Sequence, residues 1–276
     1  MGDIKQSASA VGRRAENNPW FERGIRFGFV VYGVVYLVVA WLALQLALGD
    51  QSGSASSTGA LNKLAKTSFG AILIWLIAIG MLFLVLWRLL DAVLGHQEET
   101  EDSKRLRKRL VSAAKAVLYG AIALSAFKIA TGSGSSSKKS GTDDITATIM
   151  GWPGGQLIVG VIGLAIIAYG ANQVRVAWTE KFRKHLDAEG NSGEASQAYI
   201  AFGKAGYMAK GVAFAVIGGL FCYAALTHNA KKSGGLDVAL HKVLQQPFGP
   251  FLLGLIAIGI GCYGLFCFAR ARHLSR

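Results

Sequence analysis

The chain reads as an all-α integral membrane protein with six transmembrane helices, arranged as three pseudo-repeated helical hairpins that all point the same way. Three observations lead there. Six apolar runs cover residues 27–48, 69–90, 111–130, 155–171, 205–226 and 248–269, each near the roughly 20 residues that a helix needs to cross a bilayer core of about 30 Å. Hydrophobic residues make up 52% of the 276 residues and mean hydropathy is +0.39, whereas a soluble domain of this size carries more charge on its surface. The runs also fall into three pairs, each pair joined by a short polar segment.

Helix is the form these runs must take. In hydrocarbon every backbone N–H and C=O needs an internal partner, which a helix or a closed barrel provides. A barrel needs alternating segments of about ten residues, and these are absent. The first run follows a polar leader, 1–24, and is too long for the core of a cleaved signal peptide, so it is expected to be retained. Hairpin one then spans 25–95, a charged linker 96–109, hairpin two 110–178, a second linker 179–201, and hairpin three with a short basic tail 202–276. The fourth run is short for a span unless its helix continues toward Trp178. Before each returning helix lies a short piece, 61–66, 145–150 and 236–245. In the last, Leu236, Leu240, Val243 and Leu244 form an i, i+4, i+7, i+8 stripe suited to an interfacial amphipathic helix. The Ser/Gly-rich stretch 132–141 ahead of the second piece reads as a flexible linker.

The formal charge of +13 does not point to nucleic acid, because the basic residues alternate with the membrane. Arg13, Arg14, Arg23 and Arg26 precede the first span, Arg88 and the run to Lys115 lie between the second and third, and Arg175, Lys181, Arg183, Lys184 and Lys204 lie between the fourth and fifth. Arg270, Arg272 and Arg276 close the chain. The opposite loops hold Lys63, Lys66, Lys138, Lys139, Lys231, Lys232 and Lys242. The positive-inside rule then places both termini in the cytoplasm. Lys104, Arg105, Arg107, Lys108 and Arg109 form a juxtamembrane cluster expected to contact anionic lipid headgroups, with Glu98, Glu99, Glu101 and Asp102 beside it as a block that can mask it. Membrane lipids are thus the expected partners. A membrane-protein partner or a second copy of the chain stays open.

Laying the hairpins over one another, Tyr32-Gly33 matches Tyr119-Gly120, and Gly211 takes the same glycine position. Gly28 recurs as Gly206, with Arg26 and Lys204 each two residues earlier. Phe69-Gly70, Trp152-Pro153-Gly154-Gly155 and Pro247-Phe248-Gly249-Pro250 open the returning helices, Gly80 and Gly259 follow Gly70 and Gly249 at one spacing, and Tyr169-Gly170 matches Tyr263-Gly264. Three copies of one hairpin account for this. On these residues and the leader Asn18-Pro19-Trp20-Phe21-Glu22-Arg23, the chain resembles a bacterial membrane family known as domain-of-unknown-function family 1206, whose members carry three tandem two-helix units. The resemblance runs from Pro19 to Arg272 and implies an architecture and a cell-envelope location, without an activity. The second copy departs most, with Lys115 in place of Gly28 and Gly206, and Ala113 in place of Arg26 and Lys204. Copies of equal helix parity share one orientation, so their pseudo-axis is expected along the membrane normal.

The chain has 35 glycines, many inside spans, where small residues let helices approach closely in the absence of a hydrophobic drive. Gly28, Gly33, Gly80, Gly120, Gly206, Gly211 and Gly259 are the expected packing positions. Arg88 and Asp91, one turn apart, are expected to pair at the inner boundary, while Arg26, Lys115, Lys204 and Lys210 are expected to snorkel from helix ends. The middle of each span reads as uncharged, which argues against a proton or ion relay. The histidines lie in loops and tails, the cysteines lack a CxxC partner, and no GxSxG, Walker, HExxH or Rossmann pattern occurs. No cofactor, no metal and no catalytic residue is expected. The leading reading is a non-catalytic membrane component with a structural, lipid-interacting or complex-assisting role. The alternative is a small-solute channel or transporter with a path between the repeats, and a lipid-acting enzyme is the second alternative.

Overall fold

A computed structural model of the protein describes residues 19–50, 54–93, 102–132, 141–193 and 195–274. The leader up to Asn18, the acids Glu98, Glu99 and Glu101, the stretch 133–140 and Arg276 lie outside the described residues, as do the side chains of Asp102, Lys104 and Arg107. Each copy is a long helix, a short helix and a long helix. The first is α1 (Pro19–Ala47), α2 (Ser57–Ala65) and α3 (Gly70–Val93), and the second is α4 (Asp102–Ala130), α5 (Gly141–Met150) and α6 (Gly155–Trp178). After a 3₁₀ turn (Lys181–His185) and the short α7 (Ala188–Ser192) come α8 (Ser196–Leu226), α9 (Leu236–Leu244) and α10 (Gly249–Arg272).

Six helices are long and apolar enough to cross a membrane: α1, α3, α4, α6, α8 and α10. The fourth span does continue to Trp178, and α4 begins at Asp102, so the basic residues before its apolar run already lie on the helix. The turn into each returning helix is built alike. Gly70 N donates to Thr67 O at 2.8 Å, Gly155 N to Trp152 O at 2.9 Å and Gly249 N to Gln246 O at 2.8 Å. Glycine is required at all three, because a Cβ would collide with the carbonyl of Ala65, Ile149 or Leu244. Phe248 and Gly154, just before, adopt φ of 59° and 73°.

The six spans form an incomplete ring in the order α6, α8, α10, α1, α3, α4. Three extensive seams join different copies (α3 with α4, α6 with α8, α10 with α1), and α1 with α3 and α8 with α10 pack within theirs. Among the described residues, α4 and α6, the two long helices of the second copy, share no such seam. The core therefore lies between copies one and three, where Phe29, Val35, Leu46, Met81, Leu84, Leu253, Ile260 and Phe266 are fully buried. Arg26 Nη1 donates to Arg272 O at 2.9 Å, capping α10 with the start of α1 on the face bearing the termini. On the opposite face Ala55 N donates to Asp237 Oδ1 at 2.8 Å, tying the first and third loops.

Candidate functional site

Among the described residues, glycines sit at close approach in four of the five closed seams. Between α10 and α1, a Cβ on Gly33 would lie 2.8 Å from Gly264 O, and between α6 and α8 one on Gly170 would lie 2.7 Å from Gly211 O. Backbones at this distance gain Cα–H···O contacts in lipid. Within copy one, a Cβ on Gly28 would lie 2.6 Å from Gly80 O, and within copy three one on Gly206 would lie 2.6 Å from Tyr263 Cα. Gly259 packs on Ala209.

Gly120 departs from this set, since a Cβ there meets nothing within 4 Å. The expectation that it packs two helices is corrected by its partner. Gly170 and Gly264 stand 15 residues after Gly155 and Gly249, and the same count from Gly70 reaches Val85, so the position that would match Gly120 is not a glycine. In the seam within copy two, Lys115 replaces Gly28 and Gly206, and Ala165, 10 residues after Gly155, stands where Gly80 and Gly259 are buried. Ala165 is exposed. A lysine cannot occupy a glycine-width contact, so α4 and α6 stay apart.

Near the end of the ring that bears the termini, four cations from all three copies gather. Arg88 of α3 is 7% exposed, Lys210 of α8 is 7% and Arg270 of α10 is 3%. Lys115 of α4 is half-buried and lies within electrostatic reach of the other three. Lys210, at the middle of α8, does not snorkel. Its Nζ sits 3.8 Å from the ring centroid of Tyr263 and 5.2 Å from that of Tyr36, an arrangement in which ring quadrupoles replace part of the lost hydration. It occupies the register of Tyr32 and Tyr119. The Arg270 guanidinium lies 4.2 Å over Phe29, that of Arg88 lies 4.0 Å over Trp87, and the two rings meet edge to face at 5.6 Å.

Phenols line the same interior. Tyr32 donates to Tyr36 at 3.0 Å, Tyr32 meets Tyr119 at 5.0 Å, Tyr36 meets Tyr263 at 4.9 Å and Tyr207 meets Tyr263 at 5.5 Å. The carboxylate set against the cations is Asp91, whose Oδ2 lies 2.6 Å from Arg88 Nη1. The Nε atoms of Arg88 and Arg270 are buried with no hydrogen-bond partner. Among the described residues, four cations against one carboxylate leave a formal surplus of three charges, and a buried charge without a partner costs several kcal/mol. Among the described residues no three His, Cys, Asp or Glu side chains come together. The chemistry on offer is attraction for an anion, with phenol hydroxyls as neutral hydrogen-bonding groups.

The segment between α6 and α8 folds beneath this cluster. Phe182, fully buried, stacks on Tyr207 at 5.5 Å and meets Phe266 edge-on at 5.3 Å. Glu180 accepts from Lys204 at 2.9 Å and from Arg183 at 3.2 Å, and those donors hold its carboxyl below the ordinary range. Leu186 bridges to Leu274, and His273 Nδ1 lies 3.2 Å from Asp187 Oδ1. Burial, with Arg270, Lys115, Lys184 and Arg88 nearby, pushes His185 well below its usual 6.5. The unfolded chain takes up this proton below about 6.5 and the folded one does not, so acid favours unfolding. Unfolding free energy in detergent is expected to fall between about pH 7 and pH 5, with a shallower fall in His185→Gln. Equal slopes in the two proteins would contradict this.

Of the basic cluster expected to touch headgroups, Arg105, Lys108 and Arg109 lie on the first turns of α4, Arg105 and Arg109 half-buried and Lys108 exposed. The residues that sequence reasoning left aside were Lys210 and Arg270, each read as one charge among many near helix ends. The available signals were Lys115 and Lys210, both breaking the repeat, and the tyrosines that recur beside them.

No solved structure matches the chain. It is 28% identical over 266 residues to a Bacillus subtilis (strain 168) protein described as "Uncharacterized protein YxxB", with 95% of each chain covered. The profile of the family described as Domain of Unknown Function (DUF1206) matches at 27–95, 110–180 and 205–273, one match for each long–short–long unit of the fold, and the chain belongs to that family.

Proposed function

We propose that this protein is a non-catalytic, lipid-interacting component of the bacterial cytoplasmic membrane that holds an anionic headgroup at the buried cation cluster. The observation that carries the reading is the convergence of Arg88, Lys115, Lys210 and Arg270 against one carboxylate. Such a surplus is stabilised by an anion that binds the folded state. The end of the ring holding the cluster is the basic one, where Arg26, Arg175, Arg183 and Lys204 also lie, and the positive-inside rule supports turning it to the cytoplasm, with both termini. Arg88 and Arg270 lie toward the ends of α3 and α10, nearest the phosphate groups of the inner leaflet, and Lys115 and Lys210 lie deeper along α4 and α8. The axis packed by Tyr32, Tyr36, Tyr119 and Tyr263 supports holding over conduction.

Thermal unfolding in a neutral detergent tests this. Phosphatidylglycerol is expected to raise the melting temperature and phosphatidylcholine to leave it in place. In Lys210→Gln and Arg270→Gln the protein without lipid is expected to be at least as stable as wild type, since each substitution removes an uncompensated charge, and the phosphatidylglycerol response to disappear. An unchanged response in both variants would end the proposal.

A further inference from the structure

The two closed seams within copies one and three are made by glycines, and in copy two the same register carries Lys115 and exposed Ala165. The open seam therefore has a cation, half-buried Lys115, on its α4 side. Both sides of it carry a tyrosine: Tyr119 of α4 is buried and meets Tyr32 at 5.0 Å, and Tyr169 of α6 is half-buried and meets Phe214 of α8 edge-on at 5.0 Å. Outside, α4 and α6 show exposed Val117, Leu124, Val161 and Leu164, an apolar wall fit for acyl chains. The water-facing end is closed by buried Phe182 and the Leu186–Leu274 bridge, so the side is the open approach.

We infer that the seam between α4 and α6 is a lateral port through which a membrane lipid with a phosphate headgroup places that headgroup on Lys115, Arg88, Lys210 and Arg270, its acyl chains remaining between α4 and α6. The inference rests on the headgroup reading above and adds the class of ligand and its route. Charge complementarity selects the headgroup: a phosphate oxygen accepts from ammonium and guanidinium donors, and the Nε–H groups of Arg88 and Arg270 are buried without acceptors. The missing seam selects a ligand with chains, since a free anion does not need an opening into hydrocarbon.

The test uses the full chain in lipid discs containing phosphatidylglycerol and phosphatidylcholine, read by native mass spectrometry after transfer to detergent. About one phosphatidylglycerol is expected to stay with each wild-type chain, and millimolar inorganic phosphate or glycerol phosphate is expected not to displace it. Ala165→Trp and the milder Ala165→Leu put bulk into the port at an exposed position. They are expected to lower phosphatidylglycerol occupancy at least tenfold, in graded order, with melting temperatures unchanged in the absence of lipid. Ile258→Trp, on the lipid-facing side of α10 and 60% exposed, is expected to keep wild-type occupancy. Loss in Arg270→Gln with full retention in both Ala165 variants would overturn the port and leave the headgroup site standing. Retention in Arg270→Gln and Lys210→Gln would overturn both. Displacement by inorganic phosphate would overturn the lipid assignment.

Discussion

Gly206→Ala and Gly28→Ala are expected to destabilise the protein by about 1–3 kcal/mol each, the range for forcing a methyl into a filled contact, while Gly120→Ala is neutral or stabilising by up to about 1 kcal/mol. The same substitution changes sign because its surroundings do. At Gly206 the new Cβ would lie 2.6 Å from Tyr263 Cα and 2.7 Å from Tyr263 N, and at Gly28 it would lie 2.6 Å from Gly80 O. Backbone atoms cannot rotate away, so α8 and α10, or α1 and α3, must separate and lose contacts along their length. At Gly120 nothing lies within 4 Å, and alanine simply restricts the unfolded chain. Denaturation by SDS titration checks all three. A loss at Gly120 as large as that at Gly206 would show that Gly120 packs against a helix.

Phe182→Ala is expected to cost about 3–5 kcal/mol, as for other fully buried aromatic residues, and to release the segment from Thr179 to Ser192 to protease. The ring fills a space bounded by Tyr207, Phe266 and Gly203, where a Cβ on the glycine would collide with it. Without it the cap keeps buried Leu186, bridged to Leu274, and polar contacts: Glu180 with Lys204, and the Asn191 amide donating to Leu186 O at 2.9 Å and Arg183 O at 3.0 Å. Exposed pairs of that kind contribute little each. Limited trypsin digestion, with Lys181, Arg183 and Lys184 as cleavage points, is expected to be faster in the variant while the long helices persist. Digestion at the wild-type rate would show that the polar contacts suffice.

Much of the fold was legible because lipid imposes strict terms on sequence. A span needs length and apolarity, and both can be counted, so all six helices are legible, while the fourth reads as short and its continuation to Trp178 comes from the structure. The three turn glycines were legible for a similar reason, because a local backbone geometry repeats with its sequence. Arg88 and Asp91 are one turn apart on one helix, and their 2.6 Å contact needs no tertiary information. Gly120 shows the opposite case. Its sequence context matches Gly33 and Gly211, yet a Cβ there meets nothing within 4 Å, and nothing local to Gly120 records that. The cap at 179–193 reads as a linker in the sequence because its anchor is one phenylalanine in a basic run, and burial of a lone aromatic leaves no periodic trace.

What the sequence by itself determined is the number of spans, their pairing in three copies, and the place where the second copy breaks the pattern at Lys115. The tertiary structure alone decided what that break means. Charges that are scattered along the chain at 88, 115, 210 and 270 come together because the ring sets α3, α4, α8 and α10 around one interior, and the seam between α4 and α6 stays open because the close approach available to a pair of glycines is denied to a lysine. Proximity across helices is set by which backbones can touch, and that is a property of pairs of surfaces, which no single stretch of chain carries.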